Sequence, residues 1–430
     1  MTFGARLLRT VKIAILAGGV GLLAMAAIPF GQGLIATAGH NIPSRDIVAD
    51  YGRGLLWALV LGVSIVAWPV SRRDKRTLLW LWAAKVEVAL GVMLLYEWSY
   101  GLDAYNYFFV GQPGVYQDDA LTYGQGTEIM FWLSHLQWEY LVAESYHAMK
   151  LSFAYVGLAG VYFFYRAVAL FQRTDDQRAL FFIGLFPSTL QWSSILGKDP
   201  LSFFGMAVYA FGVVALWRSR RAVGVVALAL GVFIAAATRP WMLLIMLAPL
   251  VVFALNAFAG VGAKIGVGLA GLALFTGALF LFSDRLQIAS MDDVVLRTEK
   301  ISQSFAYGGS ANESELAREN SPAKMLAFAP LGAFTALYRP LPGEILNVFG
   351  LLASFENAVL VYWTVRAVRR SRLRDLGDPI VSWALGLVAI WAIVYGFVSY
   401  HNLGTGARFR LQIIAIFTCL LWHLGRRRAA

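Results

Sequence analysis

Cysteine is nearly absent from this chain of 430 residues, which has one, and histidine is scarce, with five. The single cysteine, Cys419, lies in an apolar run, so there is no disulfide framework and no CxxC metal site. Nothing in the spacing of His, Asp and Glu matches a metal-ligand set, and neither a phosphate-binding P-loop nor a dinucleotide-binding glycine fingerprint occurs. The reading therefore implies neither a metal nor a cofactor. Internal repeats and low-complexity tracts are missing as well. Charge is sparse, at 14% of residues, and acidic residues are outnumbered 25 to 36. The resulting net charge of +11 calls for no nucleic-acid partner, because most of the excess sits in short segments between apolar runs.

Apolar side chains fill the space that charge leaves: 59% of residues are hydrophobic and the mean hydropathy is +0.64. Apolar runs of about 20 residues, the length a helix needs to cross a hydrocarbon core, recur along the chain. The pattern predicts a single polytopic domain, 1–430, an all-α integral membrane protein with about twelve spans. These lie near 13–37, 54–70, 78–97, 150–172, 179–196, 200–217, 222–238, 241–258, 264–282, 344–365, 380–399 and 411–424. Arg6, Arg9 and Lys12 precede the first. Arg72 to Arg76, Arg173 and Arg178, Arg218 to Arg221, Lys264, Arg366 to Arg374 and Arg426 to Arg428 follow even-numbered spans. Since Lys and Arg are retained on the cytoplasmic side, both termini are expected there. The start of the chain loosely resembles a signal peptide with a cleavage site at Ala24-Met25-Ala26, but the apolar run continues to about Ala38, which favours an uncleaved span.

Two predicted outer loops, 98–149 and 283–343, are far longer than the ~4–6 residues of an ordinary connection. In the first, Ile129, Leu133, Leu136, Tyr140 and Ala143 mark one helical stripe and Glu128, His135 and Glu139 another. With Trp132 and Trp138, this predicts an interfacial amphipathic helix near 127–149, in contact with membrane lipids. The second loop is polar around Gly308 to Glu313.

Basic residues also stand at the outer N-termini of even-numbered spans: Arg53, Lys150, Lys198, Arg239, Arg339, Arg408 and Arg410. That position opposes both the helix dipole and the positive-inside bias. A bound phosphate reverses the argument, because free N–H groups plus Arg or Lys make an oxyanion site. Asp199-Pro200 reads as N-cap and first helical residue, which sets Lys198 above unpaired N–H groups, and Pro240 follows Arg239 in the same way. The plainer alternative is that these cations reach lipid headgroups or pair with Asp199 and Glu344. Asp103, Asp118 and Asp119 in the first loop are candidate general bases for a sugar hydroxyl, against the alternative of solvated loop acids or caps. His401, before Asn402-Leu403-Gly404-Thr405-Gly406, is a candidate proton carrier, although a loop histidine is more often incidental. Lys85 and Glu87 lie two residues apart in the third span and face different sides; Glu356 and Arg166 are possible partners, and a structural ion pair is at least as good a reading as a functional one.

Pro187-Ser188 through Trp192-Ser193-Ser194 to Gly197-Lys198-Asp199, preceded by Tyr162 to Ala167, resembles a group of bacterial polytopic proteins of exopolysaccharide synthesis. Thr238-Arg239-Pro240, Tyr338 to Glu344 and Gly406 to Arg410 extend the likeness over most of the chain. More distantly, the layout is similar to GT-C type glycosyltransferases, which use polyprenyl-phosphate sugars and carry an acidic residue in a long outer loop. Asp103 matches that residue, although the loop here follows the third span rather than the first. Repeat-unit polymerases of surface polysaccharides are similar in span number and outer-loop arginines. The resemblance implies an inner-membrane enzyme that moves a sugar or oligosaccharide from a polyprenyl-(di)phosphate carrier to a glycan acceptor, working beside other polysaccharide-assembly proteins. Lys198, Asp199, Arg239, Arg339, Glu344, Arg408 and Arg410 are the expected phosphate and substrate contacts. A transporter or flippase, and a non-catalytic scaffold of an export complex, are the rival readings.

Overall fold

The computed structural model describes residues 31–117, 123–141, 144–218, 221–257, 260–281 and 322–426, and no strand occurs among them. Helix starts are set locally by small polar residues whose side chains accept from first-turn N–H groups, which otherwise lack partners. Asp46, Ser71, Ser145, Asp176, Asn347, Asp378 and Asn402 each do so.

Two compact units divide the chain, the first ending within the helix at Phe204 and the second running on from Gly205, with 170–172 assigned to the second. The first unit begins with helix α1 (31–38) and α2 (Ile47–Ser64). Next come α3 (Arg72–Glu87), a π segment (Val88–Val92) and α4 (Met93–Ser99), which together form one long apolar stretch. Two helices of the first long loop follow, α5 (Asp103–Val110) and α6 (Gly126–Tyr140), then α7 (Tyr146–Gln172), α8 (Gln177–Leu185) and α9 (Pro187–Trp192). Helix α10 (Lys198–Trp217) starts in the first unit. The second holds the rest of it with α11 (Arg221–Thr238), α12 (Met242–Ala257), α13 (Val261–Leu281), α14 (Pro322–Tyr338), α15 (Val348–Arg370), α16 (Pro379–Ser399), α17 (Leu403–Phe409) and α18 (Leu411–Gly425).

Among the described residues, six helical stretches are long and apolar enough to cross a membrane, and α17 with α18, bent by 68°, makes a seventh if counted as one broken span. The protein is thus an α-helical chain of membrane type. Four more of the expected spans, 179–196, 222–238, 241–258 and 264–282, correspond to α8 with α9, α11, α12 and α13. The first of these is interrupted at Phe186-Pro187, because proline lacks an N–H and restricts the residue before it. The others are shorter apolar helices. Most of the expected first span lies outside the described residues.

Both long segments read as outer loops contain helices. Within 283–343, residues 322–338 form the apolar helix α14. The amphipathic stretch near 127–149 is two elements, since α6 ends at Tyr140 and Ser145 caps the start of α7. The buried face of α6 is Gly126, Met130, Ser134 and Gln137 rather than the predicted stripe, and Tyr140 is 75% exposed. Gly111 explains this choice: a Cβ there would lie 2.6 Å from that of Ser134, so its absence lets the α6 backbone press onto the end of α5. Tyr107, Phe108, Met130, Tyr146, Met149 and Phe153 then form one core.

In the second unit, α10 and α11 pack backbone to backbone through glycines seven residues apart. Gly205 faces Gly231 and Gly212 faces Gly224, an antiparallel register in which a Cβ on Gly212 would sit 2.5 Å from the Leu228 nitrogen. Small residues supply this close approach where lipid offers no hydrophobic drive for helices to associate. Helix α16 packs on both α12 and α14, and α15 on α18.

Candidate functional site

Three segments distant in sequence meet in the second unit, around the break between α17 and α18. Arg410 occupies the break and is fully buried. Its Nε donates to the Ala336 carbonyl at 3.0 Å, Nη2 to the Arg339 carbonyl at 2.7 Å, and Nη1 to Asn357 Oδ1. Asn357 Nδ2 donates in turn to the Pro340 carbonyl at 2.8 Å, and Ser354 Oγ to that of Leu341 at 3.1 Å. Arg410 therefore clamps the carbonyl-rich end of α14 and the turn after it; its donors point into the protein frame. The Glu356 carboxylate, buried beside Asn357 on α15, acts on this charge.

The turn itself is closed by Arg339 and Glu344. Arg339 Nε and Nη2 both reach Glu344 Oε1 at 2.7 Å, and Glu344 Oε2 accepts from the Leu341 N–H at 2.6 Å. Partial desolvation pushes the Glu344 carboxyl up, but the hydrogen bonds and charge of Arg339, with the Leu341 N–H, outweigh it and hold the group below the ordinary carboxylate range. On the other side Arg239, 5% exposed, lies over the Phe409 ring with Cζ 4.4 Å from its centroid. Phe409 packs on Tyr395 at 5.3 Å, which stacks on Trp391 at 4.6 Å and accepts from Trp241 Nε1 at 2.9 Å. Arg408 is half-buried in the last turn of α17. Arg239, Arg339, Arg408 and Arg410 thus sit on segments that meet here; Arg410 is committed to carbonyls and Asn357 and Arg339 to Glu344, while Arg239 and Arg408 carry the planar donor groups that suit an oxyanion. His401 is half-buried before the Asn402 cap, edge-on to Tyr400 at 5.9 Å.

In the first unit, Asp103 is the exposed first residue of α5. Asp118 and Asp119 lie outside the described residues, as does the Gly308 to Glu313 segment. Helix α10 begins at Lys198, so Asp199 is inside its first turn rather than capping it, and is buried. Lys198 Nζ donates to Thr127 Oγ1 at 2.8 Å, tying α10 to the start of α6.

Lys85 pairs with neither of the partners considered from sequence. Its Nζ donates to the Ser193 carbonyl at 3.0 Å, Ser193 Oγ at 2.5 Å and Ser194 Oγ at 3.2 Å, while Arg166 pairs with Asp175. A Ser–Lys nucleophile is not set up, because both hydroxyls donate onward to the Thr189 and Leu190 carbonyls. The ammonium is a cap on the carbonyl end of α9. Gly157 makes this possible: any Cβ on it would collide with the Ser193 carbonyl oxygen.

Sequence reasoning missed a buried network at the N-terminal ends of α2 and α7. Glu97 accepts from Lys150 Nζ at 2.8 and 3.1 Å and from Tyr146 OH at 2.7 Å, with all three fully buried. Burial, then the Glu97 charge, pushes the neighbouring Tyr105 phenol up. Asp50 accepts from Ser145 Oγ and lies beside His147. Lys150 stands out in the sequence by its place at a helix start, and an acidic residue at the far end of an apolar run, Glu97, is the signal that points to its partner.

Comparison with protein-family models, with curated proteins and with solved structures returned no match.

Proposed function

We propose that the protein is an enzyme of surface-polysaccharide assembly in the bacterial inner membrane, with both termini cytoplasmic and about twelve spans. It transfers a sugar or oligosaccharide from a polyprenyl-(di)phosphate carrier to a glycan acceptor at the outer face. The observation that carries the reading is the meeting of Thr238-Arg239-Pro240, Tyr338 to Glu344 and Gly406 to Arg410 around a bent pair of apolar helices. Such breaks at membrane depth are tolerated where the backbone is buried in protein or lines a water-filled cavity. In this reading Arg239 and Arg408 hold the departing phosphate and stabilise its growing charge, and Arg410 and the Arg339–Glu344 pair fix the frame; Asp103, in the first unit, is nominated as the base by the resemblance alone. A flippase is the second reading, favoured by the broken pairs α8–α9 and α17–α18, since discontinuous helices line many transport sites.

The test is the profile of lipid-linked saccharides in a deletion strain complemented with wild-type, Asp103→Asn or Arg408→Ala protein. Loss of transfer with accumulation of a complete repeat unit identifies a polymerase, and a truncated oligosaccharide a single-sugar transferase. Complete repeats confined to the cytoplasmic leaflet identify a flippase. A normal profile with both variants expressed would sink the catalytic assignment.

A further inference from the structure

Asp50 and His147 are buried in the first unit to 1% and 0% exposure, and each has polar atoms that no described group satisfies. Asp50 Oδ1 accepts from Ser145 Oγ and, at 3.4 Å, from the His147 N–H; Oδ2 has no hydrogen-bond partner. Neither ring nitrogen of His147 has one either. A carboxylate oxygen and two imidazole nitrogens held out of water each cost free energy unless something satisfies them.

The surrounding charges say what is missing. From α2 come Tyr51, whose ring stands edge-on to His147 at 5.3 Å, and Arg53, whose Nη1 is directed at the Glu144 carbonyl at 2.9 Å. Helix α3 contributes Glu87, which acts on the Tyr51 phenol, and α4 contributes Glu97. From α5 comes Tyr105, and from α7 itself Tyr146 and Lys150. Among the buried groups, Lys150 is matched by Glu97, which leaves the Asp50 charge without a counter-charge of its own. A divalent metal does not fit, since no group of three or more His, Cys, Asp or Glu among the described residues could hold one. An alkali cation prefers a cage of oxygens over imidazole nitrogens. One proton neutralises the excess and suits both groups.

We propose that Asp50 and His147 form a buried proton-binding site that takes up one proton per chain. Protonation removes the buried charge from the contact between the first turns of α2 and α7. Loss of the proton to water restores that charge and favours opening of the contact toward solvent. Occupancy of the site thereby biases how firmly the start of α7 is held.

The test is the pH-difference infrared spectrum of the full chain in lipid nanodiscs. A protonated buried carboxyl gives a carbonyl band that shifts in D2O, and carboxyl-labelled aspartate shifts it further in the wild-type protein. The proposal expects such a band in wild type, its loss in Asp50→Asn, and its retention in Asp74→Asn, which removes another buried aspartate, in α3. His147→Gln removes the second proton-accepting group of the site and lowers the midpoint. No band at any pH, insensitivity to aspartate labelling, persistence in Asp50→Asn or an unmoved midpoint in His147→Gln each overturn the proposal. Should Asp50→Asn fail to fold, Asp50→Glu keeps the band but makes it respond to carboxyl-labelled glutamate instead of aspartate, and a band that still follows aspartate labelling overturns the proposal.

Discussion

At the level of single residues, charges in this protein are spent on holding the frame as much as on any ligand. Breaking a buried ion pair by removing one partner costs roughly 3–5 kcal/mol, because the other charge stays behind uncompensated. Glu97→Gln is therefore expected to lower stability by about 3 kcal/mol in detergent, leaving Lys150 with only neutral acceptors, and the double variant Glu97→Leu/Lys150→Met to recover most of it. Thermal unfolding of the three proteins checks this; equal losses in the single and double variants would show that packing, not charge, dominates. The Arg339–Glu344 turn makes a prediction about pH. Because the folded carboxyl is held below its ordinary 4.5, its contribution is fully present above that pH. It is lost as pH falls from there through the lowered folded value. Hydrogen exchange across Arg339 to Glu344 should thus be independent of pH near neutrality, after correction for intrinsic rates, and rise only in acid, with Glu344→Gln fast throughout. Arg339 and Glu344 were visible in the sequence as a potential pair because they lie five residues apart in one short turn. Lys85 with Ser193 and Asp50 with Ser145 were not, since their partners lie about a hundred residues away and nothing local marks them.

At the level of helices, close approach matters more than propensity. Gly157 lets the end of α9 lie on α7, and that placement is what delivers the Ser193 carbonyl to Lys85. Gly157→Ala should push α9 away, strip Lys85 of its acceptors and cost more than the ~1–3 kcal/mol of ordinary overpacking. Gly101→Ala, in open space, is the control and should cost far less. Denaturant unfolding in mixed micelles compares them, and equal effects would refute the close-approach account. Helix existence was legible from apolar length, and many starts from Ser, Asp or Asn caps. The division of 127–149 into two elements and the face that α6 buries were not, because Gly111 on another helix decides where α6 can sit.

For the whole molecule, apolar length and the placement of basic residues lead to a topology, while tertiary contacts group the candidate residues. On the proposed topology, a reporter active only outside the cytoplasm should work when fused after Gly343 and fail after Gly425, and a cytoplasmic reporter should give the opposite pattern. Equal activity at both sites would require a different number of crossings. The candidate residues divide between the units: Asp103, Lys198 and Asp199 belong to the first, and Arg239, Arg339, Glu344, Arg408 and Arg410 to the second. Their types and their positions at helix ends were readable because each stood out against an apolar background. That Arg410 is a clamp was not readable, because an arginine bound to carbonyls and one awaiting an anion look the same in a sequence.

The sequence alone determined the helical, membrane-type character of the chain, since run length and the scarcity of charge depend on nothing beyond neighbouring residues. It also singled out the cations that stand at the ends of apolar runs. Only the tertiary structure decided which of them meet, which are already satisfied by carbonyls, and that Asp50 and His147 are buried together with unsatisfied atoms. Those outcomes depend on contacts between residues far apart in the chain, set by where glycine permits two backbones to touch and where a helix breaks.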